Sequence, residues 1–535
     1  MFNIFKLKEY GTNVKTELIA GSTTFLTMAY IIFVNPSILA LTGMSSGGVF
    51  VATILAAVIG TLVMAFVANV PYALAPGMGL NAFFTFTVCF AMGFAWQEAL
   101  ALVFICGIIN IIITVTSIRK KIIKSIPRFI QSAIGGGIGL FIAYIGIKGM
   151  GLLTYTSDPG TYIDASGTII SQGSSIVPAL AVFANPGVQL ALIGLLITIV
   201  LVSLKVKGSI LISIIATTII GIPMGVTDLS GLQNGIFSIS NIGAIKDTAF
   251  AFFGSPGIGS LFTNMDKVFL TIITIFAFSL SDTFDTIGTF LGTGKVSKLF
   301  DDEDEKKLFE SKGFKSRMDK ALFADATATS IGALLGTSNT TTYVESSAGI
   351  TAGGRTGLTS LTVAILFLLC LPFSPLFAIV PGAATAPVLV AVGIFMMGSF
   401  ADIKWSDFTE AAPAFMTFAV MAFAYSITYG IAAGFITYCI IKLLSRKWKE
   451  VHPIIYGATI LFIINFVVMA IRRWLNERRT DKGTEKMSAA KCRHFLRPLV
   501  CSSFKTANLL FQICPSTSHN LTEPLPALLS FSLLF

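Results

Sequence analysis

The chain has 535 residues, of which 54% are hydrophobic and 12% charged, with a formal net charge of +10 and a mean hydropathy of +0.82. A soluble chain carries about twice that charged fraction, so the composition excludes an ordinary soluble domain and describes an integral membrane protein. The 48 glycines fit apolar helices packed through small residues, and the seven cysteines form no metal or disulfide spacing.

Residues 1–17 are polar and have no small-residue cleavage site behind a short apolar core, so the first apolar run stays as a helix and is not a signal peptide. Hydropathy then places spans at 18–41, 48–68, 72–92, 98–116, 130–148, 188–204, 208–223 and 267–292. Further spans fall at 320–336, 338–352, 356–371, 376–398, within 413–444, and at 453–471. With about 20 apolar residues per crossing, this reads as about fourteen crossings in an all-α polytopic bundle. The stretch 413–444 is either one bent helix or a tight pair.

Loop charge sets the orientation. The segments RKKIIKSIPR (119–128), the connector 295–320 and KLLSRKWK (442–449) are rich in Lys and Arg and read as cytoplasmic, whereas 149–187 has neither and reads as external. The N-terminus is then cytoplasmic and the protein multi-pass in the cell membrane. The domain reading is an N-terminal segment 1–17, a first repeat 18–223, and a second repeat 224–472 carrying the charged loop 295–320. A tail, 473–535, completes the chain. From Asn476 onward it holds eight Lys or Arg against four Asp or Glu and no sustained amphipathic pattern. Without a folded basic domain, the positive balance does not point to nucleic acid.

Two apolar segments are interrupted. PYALAPGMGLNAFFTF (71–86) places two prolines, two glycines and Asn81 at membrane depth, and GALLGTSNTTTYVESSAGITAGG (332–354) disfavours a continuous helix. Broken backbone survives there only against protein or a wet cavity. In secondary transporters, a pair of such breaks in corresponding halves points to the substrate site. Either break alone is more often an ordinary helix kink than a site.

Carboxylates mark the same regions. Asp282 and Asp285, in FAFSLSDTFDTIGTFLGTG (276–294), are three apart and share one helical face. Intramembrane carboxylates are costly and usually bind ligands or relay protons. Asp282 serves either that role or as a cap on a local break. Glu345 has no basic neighbour before Arg355, so a ligand or a proton is a sharper reading than a permanent salt bridge. Thr340, Thr341 and Thr342 donate hydroxyls to a polar ligand or satisfy their own backbone.

Five blocks carry a family resemblance: ELIAGSTTFLTMAYIIFVNPSIL, ALAPGMGLNAFFTF, FSLSDTFDTIGTFLGTG, ADATATSIGALLGTSNTTTYVESSAGITAGGRTGLTS and VPGAATAPVLVAVGIFMM. Over residues 8–472 the chain resembles the nucleobase–cation symporters of the ascorbate/uracil/xanthine transporter superfamily, in the hypoxanthine/guanine and adenine permease branch. The resemblance implies fourteen transmembrane segments in two inverted repeats of seven, with core and gate domains and discontinuous third and tenth segments. It implies that Asp285 and Glu345 face the nucleobase and that Gly79 and Asn81 belong to the third-segment binding motif. The tail matches nothing in the family.

The resulting expectation is import of purine nucleobases, hypoxanthine or guanine, by proton symport. Glu345, Asp285, Asn81, Gly79, Thr342 and Phe83 form the substrate site, and Asp285 and Asp282 serve proton coupling. No cofactor or metal is expected. Partners are the purine, the coupling cation and membrane lipid, with sodium coupling and a homodimer left open. The rivals are a permease for adenine, xanthine or uracil, a channel, and a membrane metalloenzyme; the last is disfavoured by the absence of HExxH and of histidines near the acidic clusters.

Overall fold

The computed structural model describes residues 2–116, 125–157, 162–165, 168–171, 176–232, 235–238, 240–263, 265–297, 316–464, 466 and 467. Most of the charged connector (298–315) and the whole tail 473–535 lie outside the described residues. The chain divides into two units, Met1–Tyr456 and Gly457–Phe535. The elements that build the site all belong to the first.

Its helices are α1 (Val14–Met28), α2 (Ile31–Leu39), α3 (Ser46–Val63), α4 (Met78–Ala82), α5 (Trp96–Val115), α6 (Arg128–Gly149), α7 (Pro186–Ser203) and α8 (Ser209–Gly221). Next come α9 (Met265–Ser297), α10 (Arg317–Leu335), α11 (Ser346–Thr351), α12 (Gly357–Cys370), α13 (Ser374–Ala378), α14 (Gly382–Met397), α15 (Phe408–Phe423) and α16 (Ile427–Leu444). Among the described residues, eight helices are long and apolar enough to cross a membrane, or nine if a bent pair at Ile242–Phe262 and Lys267–Thr283 counts as one span.

Local chemistry explains several boundaries. The Asn13 side chain accepts from the Thr16 amide to start α1, and Ser316 and Asp319 form a reciprocal capping box at the start of α10. Gly336, at φ +95°, takes the left-handed conformation that ends α10. The helices then pack through small residues. A Cβ at Gly393 on α14 would lie 2.5 Å from the Gly139 carbonyl oxygen on α6, so only glycine permits that approach.

The stretch 413–444 is a tight pair. Three residues separate α15 from α16, Ser426 caps the second helix, and Gly430 packs where a Cβ would lie 2.5 Å from the Thr417 carbonyl oxygen. The segment 338–352, read as a span from its hydropathy, is a short strand, a turn and the six-residue helix α11. Its threonine run favours extended backbone, and its glycines do not sustain a long helix. Among its described residues, the loop 149–187 contains four strands in two antiparallel ladders: β2 (Leu153–Ser157) with β5 (Ile176–Leu180), and β3 (Tyr162–Ala165) with β4 (Thr168–Ser171).

At the centre, β1 (Leu74–Pro76) pairs antiparallel with β6 (Thr340–Thr342), in the register Leu74↔Thr342, Ala75↔Thr341 and Pro76↔Thr340. Both strands are fully buried, so their polar groups need partners within the protein. The ladder extends through Gly77 N–H to the Asn339 carbonyl (2.9 Å) and Tyr343 N–H to the Ala73 carbonyl (3.0 Å). The Thr61 hydroxyl accepts from the Leu74 amide (2.9 Å), and the Ser346 hydroxyl accepts from the Ala73 amide (3.1 Å). Such internal pairing is what permits extended backbone inside an apolar bundle. Beyond β1, α4 leads into wider i→i+5 turns over Phe83–Ala91, a geometry common at functional sites.

Candidate functional site

Successive side chains of a strand point to opposite faces, and β6 uses both. Asn339 and Thr341 face α9: the Asn339 amide nitrogen lies 3.5 Å from Asp282 Oδ1, and the Thr341 hydroxyl donates to Asp285 Oδ2 at 3.3 Å. Thr340 and Thr342 face α10, the first against Gly332 and the second on Asp325. Three helical residues rise about 4.5 Å and two strand residues about 6.6 Å, so the spacing of Asp282 and Asp285 lets both carboxylates follow one strand.

The four carboxylates around this strand are not equivalent. Asp282 accepts from Asn110 Nδ2 (2.8 Å), and Thr329 Oγ1 lies 3.4 Å away. Asp325 accepts from the Thr342 amide and hydroxyl and from the Thr286 hydroxyl, each at 2.8 Å. Asp282 and Asp325 are fully buried. Asp285 and Glu345 are only partly buried, and among the described residues each has one side-chain donor: Thr341 for Asp285, and the Tyr30 hydroxyl, 2.5 Å from Oε1, for Glu345. A carboxylate offers about four acceptor positions, so both retain capacity.

Among the described residues, no ion pair involves Asp285 or Glu345. The Arg355 guanidinium instead donates to the carbonyls of Ile350 (2.6 Å) and Gly354 (2.7 Å). Among the described residues, no group of three His, Cys, Asp or Glu side chains is arranged to hold a metal.

The remaining expected site residues are placed as follows. The Asn81 Oδ1 accepts from the Ser338 hydroxyl, and its amide nitrogen has no partner among the described residues. Asn81 thus sits at the Ser338 end of the ladder and Glu345 beyond the Tyr343 end. The four strand steps from Asn339 to Tyr343 span about 13 Å. Gly79 lets α4 approach α6, since a Cβ there would lie 2.5 Å from the Ile138 side chain. Phe83 is fully buried, edge-on to Phe278 at 4.6 Å. The Thr342 hydroxyl is committed to Asp325.

Sequence reasoning did not single out Asp325 or Tyr30. Asp325 lies in ADATATS, and the criterion that selected Asp282, a carboxylate within an apolar helix, applies equally to it. No local signal could have found Tyr30, which lies 315 positions from Glu345.

The comparisons with known proteins agree with this architecture. Residues 15–433 match the family described as the Permease family. The guanine/hypoxanthine permease PbuO of Bacillus subtilis is 40% identical over 472 residues, which is 87% of this chain and 100% of that protein. The adenine permease AdeP of Escherichia coli is 38% identical over 465 residues, covering 87% and 95% respectively. Among solved structures, the transmembrane domain of a cyanobacterium bicarbonate transporter, BicA, aligns with a TM-score of 0.54 at 16% identity, covering 79% of this chain and 97% of that one, a likeness of fold alone. The chain therefore belongs to the Permease family, among its nucleobase permeases, and is a multi-pass membrane transport protein.

Proposed function

We propose that the protein imports purine nucleobases, hypoxanthine and guanine, by proton symport across the cell membrane. The observation that carries this reading is Glu345, a partly buried carboxylate with a single side-chain donor among the described residues and acceptor capacity to spare. A neutral oxopurine presents a ring N–H beside its carbonyl, and an acceptor-only carboxylate takes that N–H in a strong charge-assisted bond. The corresponding ring nitrogen of adenine is an acceptor and would face Glu345 without a proton. This chemistry favours oxopurines where the relatives' names, one guanine/hypoxanthine and one adenine at similar identity, do not choose. Asp285, beside Thr341, orients the site and carries the coupled proton. Asn81 keeps an unpartnered N–H donor at the other end of the ladder.

The same proposal includes fourteen segments in two inverted repeats of seven, with residues 74–91 as the third and 340–351 as the tenth. The antiparallel β1–β6 pairing is the relation a two-fold axis between those segments requires. Counting α15 and α16 separately makes them the thirteenth and fourteenth segments, with 453–471 outside the two repeats, and puts the Lys/Arg-rich segment 442–449 after an even number of crossings. It then lies on the same side as 119–128, 295–320 and the N-terminus, as the positive-inside rule asks.

The test is uptake of radiolabelled hypoxanthine and guanine by cells expressing the chain, with adenine, xanthine and uracil as competitors. Saturable uptake of at least one oxopurine is expected. Its absence for both in correctly inserted protein would remove the assignment.

A further inference from the structure

We propose that Tyr30 is a positioning and specificity residue for the Glu345 carboxylate, an inference that rests on the purine reading above. Tyr30 lies in the turn between α1 and α2. Pro36 has no N–H to offer the Ile32 carbonyl, and the backbone tightens there to three-residue steps, Ile32 N–H to Ala29 (3.2 Å) and Phe33 N–H to Tyr30 (3.1 Å). That turn abuts the start of α11. The Thr27 hydroxyl lies 3.4 Å from the Glu345 carbonyl oxygen, and the Tyr30 hydroxyl donates to Glu345 Oε1 at 2.5 Å.

The placement is rigid. A Cβ at Gly349 would lie 2.5 Å from the Ala20 carbonyl oxygen, so α11 and α1 meet backbone to backbone, and Tyr30 is only 1% exposed. Tyr343 approaches from the other side, with ring centroids 6.5 Å apart, but its hydroxyl is spent on the Pro76 carbonyl at 2.6 Å. The Tyr30 hydroxyl is thus the side-chain donor that fixes one carboxylate oxygen and leaves the other to receive a ring N–H.

This arrangement discriminates by donor count. Hypoxanthine offers one N–H at the edge facing the carboxylate, whereas guanine adds an adjacent 2-amino donor. With Tyr30 in place, the ring N–H of either base uses the free oxygen, and guanine's amino group competes with the hydroxyl for the lone pairs of Oε1. Without its hydroxyl, the Glu345 side chain must be ordered by the ligand, which weakens hypoxanthine, while guanine gains the released oxygen for its amino group. Ordering one flexible side chain is worth a factor of up to about ten in affinity.

The experiment is equilibrium binding of hypoxanthine and of guanine to the purified full chain, wild type and Tyr30→Phe. The expected result is hypoxanthine affinity reduced about tenfold with guanine changed less than threefold, so that the ratio moves toward guanine. A ratio within twofold of wild type, whether both affinities fall or neither does, would overturn the inference. If Tyr30→Phe gives no folded protein, 3-fluorotyrosine at position 30 keeps the shape and makes a stronger donor. The ratio should then move toward hypoxanthine, and an unmoved ratio overturns the inference equally. Failure of the purine reading shows separately, in the wild-type arm, as binding of neither base.

Discussion

Glu17 and Glu345 are both acidic residues held inside an apolar bundle, and the protein treats them in opposite ways. Glu17 is fully buried, and its carboxylate accepts from the amides of Arg355 (2.9 Å), Thr356 (3.3 Å) and Thr359 (3.1 Å) and from the Thr359 hydroxyl (2.6 Å). These donors form the N-terminal turn of α12, where the helix dipole also favours negative charge. Glu345 is partly buried and has one side-chain donor among the described residues, Tyr30. A carboxylate saturated by donors is part of the scaffold, whereas one with lone pairs to spare is where a ligand's N–H can go.

Substitution separates the two kinds of carboxylate, and the largest effect should fall on the scaffold side. Glu17→Ala leaves four donors around α12 without their acceptor, at a cost of about 3–4 kcal/mol. Thermal unfolding in detergent should show a midpoint lower by several degrees, while purine affinity of the folded fraction stays within twofold. An unchanged midpoint would mean that saturation by donors does not identify a structural carboxylate.

Asp325→Asn is the next test. It replaces an acceptor by an amide that must also donate, facing the Thr342 amide and the Thr286 hydroxyl. The loss should be about 2 kcal/mol in the same assay, and the β1–β6 ladder should exchange its amide hydrogens faster. Asp285 belongs with Glu345, since its one side-chain donor among the described residues is Thr341. Asp285→Asn should therefore leave the midpoint nearly unchanged and reduce accumulation driven by an imposed pH gradient more than equilibrium binding. Equal loss in both would merge the two roles into one site.

The smallest effect is expected at Glu450. Its ion pair with Lys442, at 2.6 Å, holds this exposed carboxyl below its ordinary range. A carboxyl lowered in the folded state contributes above its unfolded value, and the contribution fades as pH falls through the lowered one. Screening by solvent makes that contribution small, so Glu450→Gln should leave uptake and abundance within twofold.

How much of this was legible in the sequence depends on range. Spans, the two broken segments and the carboxylates Asp282, Asp285 and Glu345 follow from hydropathy and from charge in apolar runs, which are local signals. Glu17 was passed over because it lies at the edge of a polar N-terminal flank, where an acidic residue looks solvated. The β1–β6 ladder was not legible because three residues ending in a proline carry no alternation that a strand pattern can use. The sorting of carboxylates into saturated and open depends on donors far along the chain, such as Tyr30 for Glu345 and Asn110 for Asp282. Only the folded arrangement shows them.

That Glu345 is the acceptor for the base is tested most directly by the purine-dependent shift in the melting midpoint of wild type and Glu345→Gln. A ligand that binds only the folded state stabilises it by RT ln(1 + [L]/Kd), so at one ligand concentration the midpoint rises more for the tighter-binding protein. Losing the charged acceptor should weaken binding by about 2–4 kcal/mol, tens to hundreds of fold. Equal midpoints are expected without ligand, with a hypoxanthine-induced rise in wild type that is absent in Glu345→Gln at the same concentration. An equal rise in both proteins would contradict the assignment.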